Sequence, residues 1–146
     1  GSWCENRAAE RSPVRFSDRT NDLVLVASRS HRDDRLERLI DALPLGSSKA
    51  VGSVGCKVAT ILRGEADVYI SLSGKSAPKD WDMAAPEAVL LAAGGAFTHA
   101  DGRLLTYNTG DVRQAGCLIA SHGKAHAALE NQAARAMAEI DPGFPV

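Results

Sequence analysis

The chain has 146 residues, with 17 Lys and Arg against 18 Asp and Glu, a net charge of −1, and 45% hydrophobic residues. That balance excludes collagen-like, low-complexity and mainly disordered chains, and offers no basic field to a nucleic-acid polymer or a membrane surface. A local basic pocket for one small anion is compatible with it, and the length suits one core rather than two domains. The longest apolar run, near Ala84 to Ala93, is interrupted by Pro86 and Glu87 and falls short of the roughly 20 residues a membrane span needs. Three widely spaced cysteines (Cys4, Cys56 and Cys117) without a C-x-x-C pair suit reduced thiols, which points to a cytoplasmic protein. The opening Gly1-Ser2, with no initiator Met and no signal-peptide pattern, leads us to expect that the natural protein begins further upstream.

Residues 1–20 are polar and charged and read as a flexible lead-in. Leu23-Val24-Leu25-Val26-Ala27 is a continuous apolar run, as expected of a strand buried on both faces. Leu36, Leu39, Ile40 and Leu43 then repeat with helical spacing behind Asp33 and Asp34, up to Pro44 and Gly46. A short strand near residues 49–52 leads into Ser53-Val54-Gly55-Cys56-Lys57 and a helix carrying Val58, Ile61 and Leu62, stopped by Gly64. Residues 67–72 form the next predicted strand and 73–79 a loop. Residues 81–93 read as a helix with Pro86 tolerated in its first turn, closed by Gly94-Gly95. Strands are expected at 96–99 and 104–107 around the turn signal Asp101-Gly102, and again at 117–120. The last helix, 124–140, places Ala125, Leu129, Ala133 and Met137 on one face. Strands alternating with helices define an α/β layer fold.

Three strand-to-helix junctions collect the polar residues that could carry chemistry, and helix N-termini there present unpaired N–H groups. At Ser28-Arg29-Ser30-His31, capping by Ser30 or Asp33 is the simpler reading, and ligand binding the sharper one. At Gly52-Ser53-Val54-Gly55-Cys56-Lys57, small residues let a ligand approach the backbone, and a cation in the first helical turn invites an anion. A tight turn followed by a solvated lysine competes evenly with that. At Lys79-Asp80-Trp81-Asp82, Asp82 is placed to cap the helix, and spacing alone favours the cap over a Mg²⁺ ligand beside a phosphate. His122 and His126 lie four apart without the companions of a metal motif. His99 reads as a strand-edge residue and Cys56 as a small packing residue.

Trp81-Asp82-Met83-Ala84-Ala85-Pro86 followed by Ala93-Gly94-Gly95 resembles the W-D-x-A-A … A-G-G signature of the inositol monophosphatase superfamily. The junctions at 28–31 and 52–57, with Gly64-Glu65-Ala66-Asp67-Val68-Tyr69, are most similar to its 3′(2′),5′-bisphosphate nucleotidases. Those enzymes convert 3′-phosphoadenosine 5′-phosphate to AMP in sulfate assimilation. The resemblance implies a layered α/β/α sandwich with a central mixed, mostly parallel sheet. It implies Mg²⁺ as cofactor, Asp82 as metal-binding and catalytic residue, and Ser28, His31, Ser53, Lys57 and Asp82 as substrate contacts. It covers the C-terminal half of such an enzyme, so that 21–146 would be the substrate-binding domain. The glutamate pair and the Asp-Pro-x-Asp-Gly-Thr/Ser motif of the N-terminal half are not in this sequence, where Asp141-Pro142 runs into Gly143-Phe144. That missing half is the expected partner, the chain alone is expected to be inactive, and a homodimer is allowed. An inositol or fructose-bisphosphate phosphatase, or a non-catalytic nucleotide-binding module, are the alternatives. All of these readings require the Lys57 turn and Asp82 to share one side of the sheet.

Overall fold

The computed structural model describes residues 2–28 and 33–146. Its elements run β1 (Trp3–Glu5), β2 (Arg11–Pro13), β3 (Leu23–Ala27), α1 (Asp34–Asp41), β4 (Leu45–Ala50), α2 (Val54–Leu62), β5 (Val68–Ser73), α3 (Asp80–Ala92), β6 (Ala96–His99), β7 (Gly116–Ser121) and α4 (His126–Ile140). Five strands form one sheet in the order β4-β3-β5-β7-β6. β4, β3 and β5 pair in parallel, while β7 is antiparallel to both β5 and β6. Four strands therefore point one way and β7 the other.

The two-residue period of the strands sorts the core into two layers. Leu23 and Leu25 of β3, Val68 and Ile70 of β5, and Cys117 and Ile119 of β7 pack with Leu36 and Leu39 of α1 and Leu129, Ala133 and Met137 of α4. On the opposite face Val26, Tyr69, Phe97, Leu118 and Ala120 pack with Val54, Val58 and Ile61 of α2 and Met83 and Leu90 of α3. A sheet between two helical layers, the α/β/α sandwich, is the result. Gly95, the second glycine of the A-G-G triplet, is held by close approach: a Cβ there would lie 2.6 Å from Leu90 Cδ1 and 2.7 Å from the Ser121 carbonyl.

The structure departs from the sequence reading in three places. Residues 1–20 contain the β1–β2 hairpin, with Trp3 beneath the Arg11 guanidinium (4.6 Å to the ring centroid) and Arg11 bonded to Glu5 at 2.8 Å. The strand after α1 begins earlier than expected, at Leu45, because its parallel register with β3 runs from Leu23↔Leu45 to Ala27↔Ala50. No strand forms over 104–107. A single bridge joins Leu104 to Thr98, and the following residues are committed to α3, with the Tyr107 hydroxyl donating to buried Glu87.

Ahead of β3, the chain is fastened to the start of β5. The buried Asp67 carboxylate accepts hydrogen bonds from Ser17 Oγ, from Arg19 Nε at 2.7 Å and from Val24 N at 2.7 Å. Gly64, with φ +69°, passes the same segment so closely that a Cβ would sit 2.7 Å from the Arg15 carbonyl. Both the left-handed backbone and the contact require glycine.

Candidate active site

Parallel pairing of β4, β3 and β5 brings their C-terminal ends to one edge of the sheet, and each leads directly into a helix. The junctions at 52–57 and 79–82 therefore follow strand ends on one side of the sheet; of the first junction Ser28 is described, and Arg29, Ser30 and His31 lie outside the described residues. Three helix N-termini gather along that edge, with their orphan N–H groups and partial positive charge.

At the start of α2, Ser53 holds a left-handed backbone (φ +48°), a conformation that costs a non-glycine residue free energy and is found often at functional sites. Its hydroxyl accepts from Cys56 N at 3.1 Å. Its carbonyl receives both Lys57 N–H at 3.3 Å and Lys57 Nζ at 3.4 Å. Lys57 is only 4% exposed, so it is not a solvated surface lysine. Its ammonium lies 5.1 Å from the centroid of the Tyr69 ring, and burial pushes its pKa below the ordinary lysine value. A Cβ at Gly52 would meet no atom within 4 Å, which leaves the turn open to close approach from outside. Cys56, read from the sequence as a packing residue, is instead exposed, because α2 buries its other side against the sheet and α3.

At the start of α3, Asp82 is exposed and its Oδ2 accepts Lys79 N–H at 2.9 Å, so the capping reading holds. Helices α2 and α3 pack on the same face of the sheet, close enough that a Cβ at Gly55 would lie 4.0 Å from Pro86 Cγ. The phenol of Tyr69 is pushed up by burial and, to a lesser degree, by the negative charge of Asp82. The Lys57 turn and Asp82 therefore belong to two helices on one face of the sheet, the face to which Tyr69 contributes its ring. Asp80, two residues earlier, is a buried carboxylate in the first turn of this helix. It accepts from Gln114 Nε2 at 2.7 Å and Asn108 N at 2.9 Å, fixing the segment that follows β6 against the first turn.

Ser28 follows β3 and lines a cavity of about 340 Å³ with Arg35, Leu36, Ser71, Ser73 and Pro78. This cavity opens at the same edge, beside α1, where Asp33 caps the helix through Leu36 N at 3.0 Å. His31 lies outside the described residues. The serines of β5 and its following loop were missed in the sequence; their signal was the switch from Val68-Tyr69-Ile70 to Ser71-Leu72-Ser73 at a strand end. His99 lies on the edge strand β6. His122 donates from Nε2 to the Arg19 carbonyl at 2.9 Å. His126 Nδ1 pairs with Ser121 at 2.8 Å, and its Nε2 with Thr98 at 2.9 Å and Glu130 at 3.2 Å. Both imidazoles are buried, and their bonds are to residues outside the junctions at 52–57 and 79–82. Among the described residues no group of three or more His, Cys, Asp or Glu could hold a metal ion, and no helix is long and apolar enough to cross a membrane.

The profile of the inositol monophosphatase family matches residues 1–138, and the chain belongs to that family. It is 40% identical over 88 residues to the 3′-phosphoadenosine 5′-phosphate phosphatase of Mycobacterium leprae, covering 60% of this chain and 31% of that protein. It is 32% identical over 87 residues to 3′(2′),5′-bisphosphate nucleotidase 1 of Dictyostelium discoideum, covering 60% and 27%. Among solved structures, a Thermotoga maritima IMPase superposes with a TM-score of 0.66 at 20% identity, covering 87% of this chain and 47% of that one. The matched segment thus spans about a third of the curated relatives and about half of that solved structure.

Proposed function

We propose that this chain is the C-terminal, substrate-holding half of a Mg²⁺-dependent phosphatase that removes the 3′-phosphate of adenosine 3′,5′-bisphosphate, giving AMP and phosphate. The observation that carries the reading is Lys57. It is a cation withdrawn from water at a helix N-terminus, with one long hydrogen bond to a carbonyl, on a helix that packs on the same sheet face as the helix that carries the exposed Asp82. A phosphate supplies what that ammonium lacks, and the α2 N-terminus adds N–H donors of the same preference. The relatives whose names specify bisphosphate nucleotides support the substrate class.

The metal tests differently. Mg²⁺ demands near-octahedral oxygen coordination, whereas among the described residues no cluster of ligands is present, and Asp82 has one of its oxygens already accepting from Lys79. Asp82 fits as one contributor to a site whose other ligands lie in the N-terminal half. Bound there, the ion would acidify a water and neutralise phosphate oxygens. In this reading Asp82 is the catalytic and metal-binding residue. Lys57 and Ser53 hold the phosphate, and Ser28 and His31 approach the nucleotide from the neighbouring junction. The chain by itself binds without hydrolysing.

An exposed apolar face supports the partnership with a further half. Trp81 is 69% exposed, and Val89 and Leu91 are each 46% exposed, along a helix whose other outward residues are mostly alanine. Apolar helix faces of that kind are normally buried against another layer. We place the protein in the cytoplasm, where its three free cysteines stay reduced, and its reaction in sulfate assimilation.

The test compares phosphate release from adenosine 3′,5′-bisphosphate and from inositol 1-phosphate by the full-length protein in Mg²⁺. Faster turnover of the nucleotide is expected. Faster turnover of inositol 1-phosphate overturns the assignment.

A further inference from the structure

We propose that Tyr69 is a positioning residue for Lys57, its ring face holding the ammonium at the mouth of α2 without neutralising it. The proposal rests on the reading of Lys57 as a phosphate contact and adds how that contact is kept ready. Tyr69 sits on β5, between β3 and β7 in the sheet, and is 2% exposed. Its ring meets Phe97 edge-on, with centroids 6.3 Å apart and planes at 77°. The ring is therefore a fixed surface rather than a mobile one.

An ammonium carries three donors. Among the described residues Lys57 Nζ makes one hydrogen bond, at 3.4 Å, and no ion pair with a carboxylate. At 5.1 Å from the ring centroid, it lies within the range where a cation is attracted to the negative face of an aromatic ring. The choice of partner has a chemical consequence. A carboxylate in place of the ring would hold the lysine more tightly but cancel the charge that a phosphate needs. An aromatic face holds the lysine and leaves its charge and two of its donors free. Residue 69 alternates with Val68 and Ile70, which face the other helical layer, so the strand period alone delivers this ring to the Lys57 side.

The experiment places phenylalanine and its mono-, di- and trifluorinated analogues at position 69 of the full-length protein. Fluorination weakens the ring's attraction for a cation with little change of shape. Tyr69→Phe is expected to keep near-native values. The trifluorinated ring should raise the KM for adenosine 3′,5′-bisphosphate by about three- to tenfold in graded steps, with kcat unchanged. The rate at which an amine-directed reagent labels Lys57, read by mass spectrometry without substrate, should rise in parallel. A flat labelling series overturns the proposal, as does Tyr69→Phe behaving like the trifluorinated ring. Graded labelling in a protein that does not hydrolyse the bisphosphate supports the positioning role and overturns the nucleotidase reading instead.

Discussion

The guanidinium of Arg19 lies 2.7 Å from the buried carboxylate of Asp67, joining the segment ahead of β3 to the start of β5. Val24 N–H and the Ser17 hydroxyl complete the same carboxylate, and His122 secures the Arg19 carbonyl from the other side. The two central parallel strands are thus cross-tied at the end opposite the candidate site.

Asp67→Ala is accordingly expected to destabilise the protein by about 2–4 kcal/mol, since it strands Arg19 and the Val24 N–H; urea denaturation measures it. Burial raises the Asp67 pKa, but Arg19, Ser17 and Val24 outweigh it and hold the group below 3.8. Between the folded value and 3.8 the unfolded chain binds more protons. The contribution is therefore fully present above 3.8 and is lost as the pH falls through the folded value. The variant should show a shallower loss of stability across that acid window.

Asp82 separates capping from chemistry. Asn at this position can still accept the Lys79 N–H, so Asp82→Asn should leave the melting temperature unchanged. Its Mg²⁺-dependent phosphate release should fall by roughly a hundredfold or more in the full-length protein. Asp82→Ala should lose the activity and, in addition, about 1 kcal/mol of stability. Retained activity in the Asn variant would reduce Asp82 to a cap.

Lys57→Met keeps the buried stem and removes the charge. Affinity for adenosine 3′,5′-bisphosphate, measured by calorimetry, should drop by roughly ten- to a hundredfold, with stability equal or higher because an unneutralised buried cation is costly. Burial lowers the Lys57 pKa from 10.5, so native affinity should decline as the pH rises through that lowered value, and the Met variant should lack this decline. Folding stability has the opposite dependence. Between the folded value and 10.5 the unfolded chain binds the extra proton, and stability rises with pH there.

Gln114→Ala should cost about 1–3 kcal/mol, because Asp80 Oδ1 and the Thr106 carbonyl both lose a buried donor. Amide exchange should accelerate over residues 104–114 while β5 and β7 stay protected.

The parts of the fold that could be read from sequence are those whose burial is two-sided or strictly periodic. Leu23–Ala27 is apolar throughout because both helical layers cover β3, and Leu129, Ala133 and Met137 mark α4 because one stripe alone is buried. The β1–β2 hairpin left no such trace: its residues are nearly all exposed, and a pair of exposed strands has no apolar period to detect. Leu104–Tyr107 misled for the converse reason, since it has strand composition, yet Tyr107 is drawn to Glu87 and Leu104 stays exposed. The junction residues Ser53, Lys57 and Asp82 were legible as polar groups at strand ends. That their helices pack on one face of the sheet was not, because it depends on the parallel order β4-β3-β5. Nor was Tyr69, whose importance comes from standing under Lys57 rather than from any motif.

The three helix starts along one sheet edge have a kinetic corollary. With a net charge of −1, the chain projects no positive potential to guide a polyphosphorylated solute from a distance. The half-charges at those starts act only within about one Debye length, near 8–10 Å in physiological salt. For the nucleotide substrate proposed above, capture is then expected to be a matter of collision followed by short-range retention, and changes in ionic strength should register in dissociation far more than in the speed of encounter.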